Sequence, residues 1–413
     1  MTGEPHRDNH PSGHSNHSSP RIQPPVIPID LFRHPVLSVG FRTLFPLACL
    51  AGLALPLWWA LIITGAVPPA PTFALPPLRW HAHEMFYGFG MAALGGFLLT
   101  ATKNWVGVRG WQGSTLLFLA AAWLLDRIAL SYGASWPPAL FWPAALLFQL
   151  ALVVLLMHTL LQQNLRETGS DNFFFWIALP LFVLAKGMML HDATYAAGLA
   201  MSLALFRFAF LIMLERTQVQ FMRHAFQLDI RRDPALDMPI KWLAITLAFV
   251  EWLPAPLGGL GELVLALLLI ERFCYWHPRQ AFTRLDIGIM YFGYLAIVAQ
   301  LLVSGIGRFA DLPWTGSVGV HLFTLGVMGT ILPAMIVRIS KGHTGRNVIF
   351  ETADKAVLWI MITGFLVRVI VPQFYPAGYF MLLHLSATCW LIGFAILLWR
   401  YLPFLLAPRV DGR

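Results

Sequence analysis

Twelve times between residues 41 and 403 the sequence runs through a mostly apolar stretch of the length that crosses a bilayer. A hydrocarbon core of about 30 Å takes about 20 helical residues at a rise of about 1.5 Å each. The stretches lie at 41–66, 82–102, 113–131, 139–163, 173–192, 194–214, 239–254, 258–276, 286–306, 316–338, 354–372 and 378–403. Inside lipid every backbone polar group must be satisfied within the protein, which leaves helices or a closed barrel. Barrel strands alternate apolar and polar side chains, whereas these runs are continuous. The expected fold is therefore all-α, a polytopic membrane protein of about twelve transmembrane helices. The seventh run is the weakest, being short, closed by Pro254 and Pro256, and carrying Glu251. Charged residues make up 12% of the chain, about half the share usual in soluble proteins. That excludes a water-soluble enzyme and a disordered protein.

Charge distribution tests the span count. With twelve spans, 22 of the 28 Lys and Arg fall on the side of the amino terminus. Arg79 and Arg308 fall on the other side, and Arg127, Lys186, Arg207 and Arg368 lie within spans. Basic loops stay in the cytoplasm, so both termini are expected there. The formal charge of +8 thus reports orientation and lipid as the surrounding partner, with no nucleic acid implied. Residues 1–30, rich in Pro, Ser and His, read as a disordered cytoplasmic tail, and 31–413 as a single transmembrane domain. His6, His10, His14 and His17 in the tail could hold a metal weakly or simply be solvated. Cys49, Cys274 and Cys389 form no CxxC pattern, which excludes a thioether-linked haem or a four-cysteine iron–sulfur site and leaves them as small packing residues. No internal repeat is evident.

The spans give each histidine a depth. His81 and His83 open the second helix on the outer side, His191 closes the fifth, His321 begins the tenth, and His384 lies in the outer part of the twelfth. Five imidazoles thus gather in the outer third of the membrane, with Met85, Met188 and Met189 at the same level. Ionisable groups within spans point to function, and imidazole suits copper, iron and haem iron. At least two of the five are expected to share a metal or haem, although any one could be an interfacial residue. At 3.6 residues per turn His81 and His83 point about 200° apart, which favours two centres or a ligand with its supporting partner. Glu84 could orient an imidazole, carry a proton, or complement the helix dipole.

The cations within spans have the same ambiguity. Arg127, Lys186 and Arg368 lie in the outer parts of their helices, where haem propionates would find partners. Local carboxylates compete: Asp126 precedes Arg127, and Asp192 is near Lys186. At the cytoplasmic end of the tenth helix, Gly342 to Arg346 reads as a tight loop that could bind an anion or cap the helix. His343 lies there, 22 residues beyond His321 and about 33 Å away along a continuous helix, so it serves a second centre or none.

Two segments carry a family resemblance. WHAHEMFYGFGMAALGGFLLTATKNWVG, Trp80 to Gly107, and HLFTLGVMGTILPAMIVRISKGHTGR, His321 to Arg346, resemble the signatures of the NnrS family. These are bacterial membrane proteins that contain haem and copper and are tied to nitric oxide stress and denitrification. The matching positions are His81, His83 and Glu84 in the first segment, and His321, Arg338, His343 and Arg346 in the second. His191, Arg127 and Arg368 fall at plausible family positions. The resemblance implies haem b and copper as cofactors, nitric oxide or a similar small gas as partner, and a bacterial inner (cytoplasmic) membrane location. The expected metal residues are His81, His83, His321, His191, His384 and His343, with Arg127, Arg368 and Glu84 around the cofactor. Two other functions suit the same histidines: a metal or small-molecule transporter, and a quinol-linked oxidoreductase of the haem–copper type, although no matching His-His pair occurs.

Overall fold

The computed structural model describes residues 31–162 and 172–412. The tail at 1–30, with its four histidines, lies outside the described residues. Each of the twelve apolar runs forms a helix. These are α1 (Gly40–Ile63), α2 (Pro77–Val106), α3 (Ser114–Tyr132), α4 (Pro138–Leu161), α5 (Phe173–Met189), α6 (Tyr195–Phe226), α7 (Pro234–Thr246), α8 (Ala255–Cys274), α9 (Leu285–Gly307), α10 (Val318–Gly342), α11 (Thr352–Phe374) and α12 (Tyr379–Leu406). No strand occurs among the described residues.

Nine of the described helices are long and apolar enough to cross a membrane, so twelve is an approximate count. The three that fall short do so for different reasons. Helix α5 has 17 residues. Helix α7 passes into a 3-10 segment, Leu247–Trp252, where Phe249 leaves helical dihedrals. Pro254 and Pro256 then set the start of α8, because proline suits a first helical turn and disfavours the helix before it. Helix α8 carries Glu262, Glu271 and Arg272. Two of these are held inside the bundle: Glu262 accepts from Ser304 and Arg308, and Arg272 donates to Glu215, Asp237 and Tyr294.

The packing separates central from peripheral helices. In their most apolar windows α2, α6 and α10 are 89%, 83% and 83% buried, whereas α4, α11 and α12 are 39% buried. The peripheral helices expose large apolar side chains, Trp399 at 77% and Phe374 at 84%, as a chain solvated by lipid does. Helix α1 lies against α12 and α2, α3 against α4, α5 against α6, α8 against α9, and α11 against α12. The first and last helices meet at one end, where the Arg42 guanidinium donates to the carbonyls of Leu405 and Ala407. We call this the basic end. His81 and His321 lie at the opposite end.

Three helices widen to π geometry: α2 over Glu84–Gly90, α10 over Thr324–Met328, and α11 over Leu366–Ile370. Single π turns inside α-helices recur at functional sites.

Candidate metal centre

The three π stretches surround one cavity. His81 and Met85 enter it from α2, His321, Thr324 and Leu325 from α10, and Arg368 from α11. Trp59 of α1 and Trp390 of α12 close its sides. About 70 Å³ is open to a water-sized molecule, and the wall is mostly apolar.

Both imidazoles are prepared as donors. His321 Nδ1 lies 2.8 Å from the carbonyl oxygen of Ser317. A carbonyl only accepts, so Nδ1 carries the hydrogen and Nε2 keeps its lone pair, the arrangement that orients metal-binding histidines. His81 stacks on Trp59, with ring centroids 4.7 Å apart and planes 13° from parallel. Its Nδ1 is buried and has no hydrogen-bond partner. Orphaned buried polar atoms ask for an explanation; an unpaired imidazole nitrogen is also what a metal ion would require. Arg368 donates to the Tyr379 hydroxyl at 2.8 Å and lies over that ring. It has no carboxylate partner among the described residues, so its charge is available to an anionic group in the cavity.

His83 has different surroundings, as the angle between it and His81 requires. It is fully buried, with Nδ1 3.3 Å from Glu84 Oε1. Glu84 Oε2 pairs with Arg127 Nε at 2.8 Å. Arg127 Nη2 reaches Asp126 Oδ2 at 2.7 Å, and Lys186 Nζ reaches the same oxygen at 2.5 Å. Two carboxylates and two cations therefore form one neutral buried chain. Gly88 makes room for it: a Cβ there would stand 2.8 Å from Glu84 Oε2 and 2.9 Å from Arg127 Nη1. Arg127 is committed to carboxylates, unlike Arg368. The partner of Lys186 is Asp126, not the nearby Asp192, which pairs with Arg79.

The other histidines lie apart. His384 is exposed on α12, although Leu383, Ser386, Ala387 and Trp390 of the same helix line the cavity; its side chain faces outward. His191 is exposed in the link after α5. His343 lies at the basic end against Phe41, with ring centroids 5.5 Å apart. Burial, then Lys103 and Arg409, hold its pKa below the ordinary imidazole value. Among the described residues, no group of three or more His, Cys, Asp and Glu could hold a metal together. Depth alone groups the histidines but cannot say which way each side faces. Trp59 and Trp390 carry no sequence signal for their place here, since that depends on α1 and α12 packing beside α2.

The donor set fits a late transition metal. Two imidazoles suit copper or haem iron, and the Met85 thioether suits cuprous copper. Arg368 fits a propionate. The fit is that of the donors, because a whole haem needs more room than the open 70 Å³. Of the cysteines, Cys49 is buried as a packing residue, Cys389 is half-buried and Cys274 is exposed. No curated protein matches the chain. The NnrS protein family matches residues 35–409. With nearly its whole length covered, the chain belongs to the NnrS family.

Proposed function

We propose that this is a haem- and copper-binding protein of the bacterial inner membrane, acting in the response to nitric oxide or in denitrification. The observation that carries the reading is the meeting of His81 and His321 in one apolar cavity, drawn from two segments far apart in sequence. The basic end lies in the cytoplasm, following the bias of Lys and Arg. The cavity lies toward the other face, where a small apolar gas enters from lipid.

His81 and His321 would hold the metal through imidazole nitrogen lone pairs, with Met85 beside them as a soft donor. Arg368, with no carboxylate of its own, would balance the charge of an anionic group held there. Trp59 and Trp390 exclude water, which raises the strength of each electrostatic contact inside. A redox-active metal held there would supply a binding point for nitric oxide.

The test is optical and metal analysis of the detergent-purified full chain. His81→Ala and His321→Ala should each abolish or shift the metal spectrum, and His384→Ala should leave it unchanged. Full metal content in both cavity variants would overturn the assignment. Saturable copper uptake by vesicles, without a bound chromophore, would favour a transporter instead.

A further inference from the structure

A second cavity lies at the basic end, far from the metal centre. It has about 380 Å³ of free space and is lined by Arg33, Arg42, Lys103, His343 and Arg409. These residues come from five separate segments: the turn before α1, the start of α1, the end of α2, the loop after α10 and the tail after α12. A general excess of cytoplasmic Lys and Arg explains their number but not their convergence on one space.

Two of these cations, Arg42 and Lys103, have no carboxylate beside them among the described residues. Arg42 is 2% exposed. Its guanidinium donates to the carbonyls of Leu405 and Ala407, both through Nη1, so Nε and Nη2 remain for the cavity. It has no carboxylate partner among the described residues. The Lys103 ammonium has neither a hydrogen bond nor an ion pair among the described residues. Its stem is nevertheless held in place, because a Cβ on Gly110 would stand 2.6 Å from Lys103 Cδ. Arg409 pairs with Asp411 at 2.5 Å and donates to the His343 carbonyl at 2.9 Å. Bringing cations together in a half-buried space is unfavourable unless an anion joins them. Guanidinium and ammonium groups around one pocket match phosphate oxygens, through charge-assisted hydrogen bonds.

We propose that this cavity binds a phosphate group, held by Arg42, Lys103 and Arg409. The group comes from a phospholipid headgroup at the membrane face or from free phosphate in solution. Both present the same anionic oxygens, and the site's place at the end of the helices is open to either. No part of this rests on the metal centre.

The test uses the full chain, purified in a neutral detergent without phosphate. Its thermal midpoint is followed against inorganic phosphate, with chloride at matched ionic strength as control, and against added phosphatidylglycerol, with diacylglycerol as control. A ligand that binds the folded state raises the midpoint with concentration. Lys103→Gln is the main variant, since that side chain has no partner to lose, and Arg409→Gln is the second. A charge-assisted hydrogen bond is worth enough that its loss should weaken apparent affinity about tenfold or more. A midpoint rise with inorganic phosphate identifies a free phosphate site; a rise with phosphatidylglycerol alone identifies a headgroup site. If neither ligand raises the midpoint beyond its control, or if both variants respond as the wild type does, the proposal fails.

Discussion

Asp126→Asn isolates the contribution of the buried ion chain that joins α2, α3 and α5. Asp126 is fully buried, accepts from Lys186 at 2.5 Å and forms an ion pair with Arg127 Nη2 at 2.7 Å. The chain is neutral in the wild type, with Glu84 and Asp126 against Arg127 and Lys186. Removing one carboxylate leaves Lys186, itself 0% exposed, without a counter-ion. Arg127 keeps Glu84, so the damage concentrates on the lysine. Breaking a buried pair from one side costs about 3–5 kcal/mol, mainly because a charge is left uncompensated. Replacing both partners should recover most of that, since Lys186→Met removes the orphaned charge and fills similar volume. The assay is thermal or denaturant unfolding of the detergent-solubilised protein for the wild type, Asp126→Asn, Lys186→Met and the double variant. The double variant should be more stable than Asp126→Asn alone, with a coupling of at least about 1 kcal/mol, as expected for groups in one network. Strict additivity of the two single changes would refute the idea that they act as a pair.

Other outcomes follow from the same geometry. Arg368→Gln should retain metal at His81 and His321 but weaken retention of a propionate-bearing cofactor, measured as haem content against copper content after purification. Glu351 accepts from Arg400 and Lys341, and these bonds hold its pKa below the ordinary carboxylate value. Its stabilising effect is therefore complete above the ordinary carboxylate range and is lost as pH falls through the lowered folded value; in unfolding scans across acid pH, Glu351→Gln should flatten that part of the decline. A reporter fused after Arg413 should be active only when cytoplasmic, and periplasmic activity would reverse the orientation.

The bundle was readable from the sequence because lipid imposes a simple rule on length and polarity. Each apolar run is a helix, even where Phe249 and the prolines at 254 and 256 shorten the seventh. The separation of His81 from His83 was also readable, since helical geometry alone turns them apart. Facing was not. His384 shares the level of His321 yet lies on the outer side of α12, because the contacts of α12 with α1 and α11 decide its rotation. Arg127 and Arg368 look alike in sequence, each a cation in an apolar helix. Only the tertiary structure shows the first tied to Glu84 and Asp126 and the second left with Tyr379. The π stretches have no mark in the apolar pattern, because they change hydrogen-bond register without changing composition.

Those stretches act as dislocations in otherwise regular rods. A π turn takes one residue more than an α turn, with bonds running from i to i+5. The part of the helix beyond it is therefore rotated by roughly 100° relative to an uninterrupted α-helix. In α2, α10 and α11 the offset falls beside the same cavity, so side chains at that level are aimed independently of those packed toward the basic end. One half of each rod is free to satisfy the close packing of the bundle while the outer part presents His81 or His321, and the π stretch of α11 presents Arg368, to a common space. Removing one residue from a π stretch would restore a regular helix and swing one half against the other. The bundle would keep its apolar helices and lose the alignment of its ligands.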